Sequence, residues 1–143
     1  MEKKIILLVE DNPDEVLLAE RAFKKSGIPH NMVVAQNGAE ALDYLYGVGK
    51  YDGRNIRIKP HVVLLDLKMP RMGGFEVLQH IRSDARTKFQ RVVVLTTSSE
   101  DADRIESYRL GADSYIRKSD DFNQFASAIK QIGLYWLYLN EAP

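Results

Sequence analysis

The stretch at residues 61–74, HVVLLDLKMPRMGG, opens with an unbroken apolar run, Val62, Val63, Leu64 and Leu65, and then sets a carboxylate, Asp66, directly against it. A short run rich in β-branched residues and lacking polar alternation is the mark of a strand covered on both faces, as parallel strands under helices are. A carboxylate at the end of such a strand is costly, because its charge meets little water and the neighbouring sequence offers no partner. The rest of the chain has to supply both the fold around that run and a reason for Asp66.

Working outward, four further short runs repeat the pattern: KIILLV (4–9), NMVVA (31–35), RVVVLT (91–96) and DSYIRK (113–118). Between them lie helical segments with recognisable ends. Asn12 stands at an N-cap with Pro13 at the first helical position, acids follow in the first turn, and Gly27 closes the segment after Lys24 and Lys25. Asn37 repeats the device, with Glu40 three residues on. A third helix is expected over 74–84, and a fourth from the serines at 98 and 99 to Leu110, stopped by Gly111. The fifth begins near Asp121 and spaces Phe122, Phe125, Ile129, Ile132 and Trp136 at helical intervals. Strands joined by helical crossovers pair in parallel, so the fold class is α/β, an open parallel sheet with helices on both faces. The polar stretch at 47–60 reads as an exposed loop. Its GVGK echoes a phosphate-binding loop only weakly, since no strand precedes it and Tyr51 stands where Ser or Thr belongs.

A chain of 143 residues fits one domain, 1–143, with a core large enough to need no staples. Twenty basic and twenty acidic residues cancel, which argues against a domain that holds nucleic acid or anionic membrane by field strength, and makes proteins the expected partners. There is no cysteine, so disulfides, thiolate metal sites and thiol catalysis are excluded. The first apolar run is too short for a signal peptide and ends in acids, and no run approaches a membrane span, so the cytoplasm is the expected location.

In sheets of this class ligands gather at the carboxyl ends of the strands. There the sequence places Glu10 and Asp11, Asp66, Thr96 and Lys118. Singly, each has an ordinary structural explanation: first-turn acids, a strand-forming threonine, a lysine reaching for water. On one rim they become three carboxylates, an ammonium and a hydroxyl. Carboxylates drawn together repel unless a cation lies among them, and an all-oxygen donor set suits a hard divalent ion, magnesium before calcium. Asp66 could then stay ionised and attack phosphorus, with Lys118 neutralising the phosphoryl oxygens.

The motifs LLVEDN (7–12), LLDLKMPRMGG (64–74), VVVLTTSS (92–99) and LGADSYIRK (110–118), in this order and spacing, closely resemble the receiver domains of bacterial two-component response regulators, the CheY-like family. The resemblance covers nearly the whole chain. It implies a flavodoxin-like, doubly wound (βα)5 fold with five parallel strands in the order 2-1-3-4-5. It implies that Asp66 accepts a phosphoryl group from a sensor histidine kinase, and that Glu10, Asp11, Asp66 and the backbone carbonyl of Lys68 hold Mg2+. Thr96 and Tyr115 correspond to the switch hydroxyl and switch aromatic, Lys118 to the phosphate-pairing lysine. On this reading the chain is no enzyme toward other molecules, catalysing only its own phosphorylation and dephosphorylation. Phosphorylation draws Thr96 inward, Tyr115 turns from an exposed to a buried position, and the face of the fourth helix, fifth strand and fifth helix changes for a downstream protein target or phosphorelay member. The sequence departs from the family at Ser119, where proline usually follows the lysine, at Gly73, where an acid or amide is common, and at Thr97, where a small residue is common. The long 47–60 loop and the VVVLTTSS wording resemble stand-alone receivers that pair with phytochrome-type histidine kinases.

The end of the chain, LYWLYLNEAP (134–143), is apolar around more of its circumference than one buried face needs. Either Tyr135, Trp136 and Tyr138 form an interface, a homodimer through the fifth helix, or Trp136 and Leu137 finish the core while the tyrosines lie half exposed. Two other classes share the architecture. An aspartate-nucleophile phosphatase needs a second acid two residues after the nucleophile, where this chain has Lys68. A flavodoxin-type carrier needs a hydroxyl-rich loop after the first strand, where this chain has Glu10 and Asp11, which repel phosphate. A pure docking module with an inert acid pocket would have no use for all five rim residues.

Overall fold

The apolar runs are the parts of the sheet that the fold buries, Val62–Leu65 and Val92–Thr96 at every position and the first run from Ile6 to Val9. In the computed structural model, which describes residues 4–140, strands β1 (Lys4–Val9), β2 (His30–Ala35), β3 (Val62–Leu65), β4 (Val92–Thr96) and β5 (Ser114–Arg117) form one parallel sheet in the order β2-β1-β3-β4-β5. Helices α1 (Pro13–Ser26), α2 (Gly38–Tyr46), α3 (Gly74–Ser83), α4 (Asp101–Arg109) and α5 (Phe122–Gly133) make the crossovers. The flavodoxin-like order expected from the family resemblance is the order observed.

Alternate side chains of the central strands feed two separate cores, as a sheet covered on both faces requires. Leu7, Val9, Val63, Leu65, Val92 and Val94 pack with α2 and α3. Ile6, Leu8, Val62, Leu64, Val93 and Leu95 pack with Ala22 and Phe23 of α1 and with Phe125 and Ile129 of α5. Each such side chain contributes about 1.5–3 kcal/mol by leaving water. Burial on this scale lets the fold tolerate an unfavourable charge cluster at its rim.

The helix starts follow the sequence except at α4. Asn12, Asn37 and Asp121 accept backbone N–H bonds as N-caps, and Gly27 and Gly47 close their helices in the left-handed conformation. Helix α4 begins at Asp101 rather than at the serines, because Ser98 Oγ bonds Asp103 and accepts the Glu100 N–H, forming a turn ahead of the helix. Of α4 only Ser107 is buried, whereas Ile105 and Tyr108 are exposed.

The 47–60 segment is less free than an exposed loop. Gly49–Tyr51 form a 3-10 turn, Lys50 and Tyr51 both reach Glu40, and the Arg54 guanidinium bonds the carbonyls of Tyr44, Leu45 and Ile58 while lying 4.0 Å from the Tyr44 ring centroid. After α5 the helix loosens into a π-helical segment, Leu134–Leu139. This change of pitch accounts for the wide apolar belt: Leu137 enters the core, Trp136 and Tyr138 are half-buried, and Leu134, Tyr135 and Leu139 face outward. The last part of that expected interface segment, residues 141–143, lies outside the described residues. Among the described residues no helix is long and apolar enough to cross a membrane.

Candidate functional site

Three of the expected rim residues sit one position beyond their strands, and in each case the backbone adds one more rung to the ladder. Glu10 N–H donates to Ala35 O (2.9 Å), Asp66 N–H to Val9 O (3.1 Å) and Lys118 N–H to Thr96 O (2.7 Å). The sheet therefore fixes their backbones, and order β2-β1-β3 puts the ends of β1 and β3 side by side. Glu10, Asp11 and Asp66 each present a carboxylate oxygen, all within 4.8 Å of one another. They share a cleft of about 290 Å³ with Lys68, Thr96 and Lys118.

Lys118 is committed within that cleft. Its Nζ lies 2.5 Å from Glu10 Oε1 and 3.4 Å from Glu15 Oε2. Burial pushes the Glu10 carboxyl above the usual range, against the pull of the Lys118 hydrogen bond. Burial also opposes the charge on Lys118, but the Glu10 bond and the surrounding carboxylates outweigh it and hold the ammonium above its ordinary value. Asp66 is likewise raised by burial, while Lys118, the Leu67 N–H and the Thr96 hydroxyl act to keep it ionised. Four carboxylates, Glu15 included, thus face one buried ammonium and the exposed Lys68. That excess of negative oxygen donors fits a hard divalent cation.

The turn after Asp66 is held by close backbone approach. A Cβ on Gly74 would come within 2.6 Å of the Asp66 carbonyl oxygen and 2.8 Å of Leu67 Cα, and the Gly74 N–H donates to Leu67 O. Just before it, the Met72 N–H closes on Pro70 O around Arg71, whose φ of +71° is a backbone conformation unfavourable for a residue with a Cβ. Gly73 serves as the N-cap of α3 without a side-chain bond. Ser119, in the proline position, accepts the Asp121 N–H and bonds Gln124, leading the chain into the α5 cap.

In this structure the Tyr115 ring packs half-buried against the α2/α3 core and its hydroxyl donates to Ser98 O (3.2 Å), while its own N–H donates to the Tyr108 hydroxyl. The Ser98 carbonyl in the β4–α4 loop supplies the anchor, and Ser98 N–H in turn bonds Thr96 Oγ1. Ring and loop are thereby already connected to the threonine. The sequence reading also missed Glu15, which it treated as a first-turn acid; its signal was the position five residues after Glu10, one turn into a helix that begins at the rim. Gly74 was missed as a site residue as well, although the glycine pair closing the opening stretch was visible.

The Response regulator receiver domain family matches residues 6–130. The probable methanogenesis regulatory protein FilR2 of Methanothrix harundinacea is 39% identical over 139 residues, 97% of this chain and 87% of that protein. Response regulator Rcp1 of Synechocystis sp. is 35% identical over 134 residues, 94% of this chain and 89% of that protein. Its Mn2+-bound crystal structure superposes with a TM-score of 0.87, covering 98% of this chain and 99% of that one at 34% identity. The phosphorylated cyanobacterial phytochrome response regulator RcpA gives a TM-score of 0.90 at 38% identity, covering 99% of both chains.

Proposed function

This chain belongs to the response regulator receiver domain family, and from that premise we propose that Asp66 is its phospho-acceptor, loaded by a sensor histidine kinase of the phytochrome type. The observation that carries the assignment is the convergence of Glu10, Asp11 and Asp66 within 4.8 Å, in a cleft that also contains Thr96 and Lys118. The family gives the signalling class, a receiver acting with histidine kinases. The likeness to Rcp1 and RcpA supports the phytochrome-type partner.

In the transfer, an Asp66 carboxylate oxygen forms the new P–O bond as the P–N bond to the donor imidazole breaks, and the nitrogen keeps the electron pair. Glu10, Asp11, Asp66 and the Lys68 carbonyl would hold Mg2+, which supplies neutralisation of the phosphoryl oxygens when bound. Lys118 provides the fixed positive charge on the other side, and must shift part of its bonding from Glu10 and Glu15 to reach the phosphoryl group. Thr96, buried beside Asp66, offers a hydroxyl to a phosphoryl oxygen. Tyr115, whose hydroxyl bonds Ser98 O, holds the β4–α4 loop inward once Thr96 is engaged. The chemistry is on the chain itself, and a cytoplasmic site of action fits a chain without cysteine.

Output goes by contact to a downstream protein or phosphorelay member, and the outward-facing Leu134, Tyr135 and Leu139 favour a homodimer through the end of α5 and the segment after it. Incubation with acetyl phosphate and Mg2+ followed by intact mass tests the acceptor. One added phosphoryl group is expected in the native chain and none in Asp66→Asn or in the native chain with chelator; multiple additions, or an equal addition in Asp66→Asn, would overturn the assignment.

A further inference from the structure

The zero net charge hides two local concentrations of charge at opposite ends of the strands. The carboxyl ends of the strands carry the acid cleft. At the opposite pole, where β1, β3 and β4 begin, a groove of about 710 Å³ runs between the segment before β3, the segment before β4 and the π-helical turn. Lys4, Arg57, Lys59 and Arg91 line it, and among the described residues no aspartate or glutamate does. Among the described residues Lys4, Arg57 and Lys59 pair with no carboxylate; Lys59 Nζ reaches only the Arg86 carbonyl. Arg91 is held by Asp113 through Nη1, while its buried Nε has no partner. A smaller pocket of about 190 Å³ continues past Arg57 and Lys59 to Arg54 and to Arg86, which is held by Asp84; among the described residues no acid lines it.

The same groove has apolar walls. Ile58 and Phe89 stand 56% and 63% exposed at its edge, with Leu137 and Pro60 buried at its base. Neighbouring unneutralised cations repel one another, and exposed large apolar groups beside them gain nothing from water; both are relieved together by an acidic segment with an apolar side chain. Nucleic acid fits less well. The aromatic groups are engaged rather than presented as stacking faces: Trp136 packs at 88° against Tyr135, Lys4 lies over Tyr138, Tyr138 bonds Pro29 O, and Lys88 lies over Phe89. The acid pole of the same small domain would also repel a polyanion.

We infer that this groove is a second docking surface, independent of the phosphorylation cleft, for an extended acidic peptide segment of a partner protein with an apolar anchor between its carboxylates. Ion pairs form with Arg57, Lys59 and Lys4, and the anchor enters between Phe89 and Leu137. The surface offers a receiver a way to stay bound to a partner while the opposite pole exchanges phosphoryl groups.

The test is selection of a random dodecapeptide library on the full immobilised chain, with fluorescence anisotropy of the selected peptides. Enriched sequences should carry two or more carboxylates around an aliphatic or aromatic residue. Their affinity should fall roughly tenfold or more in Arg57→Glu with Lys59→Glu and weaken steeply with salt. It should be unchanged in Asp66→Asn. Acetyl phosphate labelling of the charge-reversed variant should match the native chain, which shows that it folds. Selected peptides without acids, or peptides that bind the charge-reversed variant equally well, would overturn the inference. So would a single-stranded oligonucleotide that binds the groove more tightly than any selected peptide, or a self-association abolished by the charge reversal, which would assign the surface to nucleic acid or to a second copy.

Discussion

Lys118 has four carboxylates within its cleft, and it closes on Glu10 and Glu15. The choice leaves Asp66 with a partial electrostatic partner in a half-buried setting, so burial dominates and its folded-state pKa lies above the unfolded value near 3.8. For a carboxyl raised in this way the native state binds the proton more tightly, and stability falls as pH rises through the window from about 3.8 to the raised folded value. Asp66→Asn removes that penalty. In chelator at pH 7 the variant is expected to melt higher than the native chain, with the gap closing as pH falls toward 3.8; divalent metal should reverse the order by stabilising only the native site. Thermal melts across pH, with and without metal, check this, and a variant that melts lower than the native chain in chelator would contradict it. At this scale the site's members were legible, because polar residues ending apolar runs stand out. The pairing was not: which acid Lys118 takes depends on distances across three strands and on the reach of Glu15 from α1.

Between β3 and α3 the chain turns within a few residues of Asp66, and two backbone features hold that turn, the tight bend at Arg71 and the glycine at 74. Gly74→Ala would drive a Cβ into the Asp66 carbonyl and Leu67 Cα, atoms of the backbone that cannot rotate away. The expected cost is about 1–3 kcal/mol of stability, as for overpacking elsewhere, together with slower phosphorylation of Asp66 because its carbonyl must shift; denaturant titration and labelling rate measure the two. The elements were legible where physics is local. Runs such as VVLL and VVVL admit few readings besides doubly covered strands, and Asn12, Asn37 and Asp121 announce their helices. What failed to show was non-local or off-period. Arg54 fixes the 47–60 loop by bonding carbonyls nine and ten residues earlier, which no periodicity reports. The π-helical segment shifts the apolar phase just where the sequence was being read at 3.6 residues per turn, so that Leu137 takes the core place that spacing had assigned to Trp136. Helix α4 kept its place but lost its first turn to Ser98.

As a whole, the molecule carries an acid cleft at one pole, a groove lined by cations at the other, and an apolar patch after α5 on its side. Leu134, Tyr135 and Leu139 are too exposed to serve the core. Sedimentation velocity is expected to show concentration-dependent dimers that Tyr135→Asp weakens roughly tenfold or more, the effect of placing a charge in an apolar contact; a monomer at high concentration in both phosphorylated and unphosphorylated forms would end that proposal. The two cores, built from alternating residues of the same strands, support the sheet beneath these surfaces, so the fold tolerates an electrostatically uncomfortable acid cleft, which on the proposed reading a cation and a phosphoryl group relieve. The most direct test of that account is to treat the acetyl phosphate-labelled chain with borohydride, which reduces an acyl phosphate to the alcohol, and to map the product by peptide mass spectrometry. Conversion of residue 66 alone to homoserine is the expected result. Conversion at another carboxylate, or none despite a stable label, would contradict it.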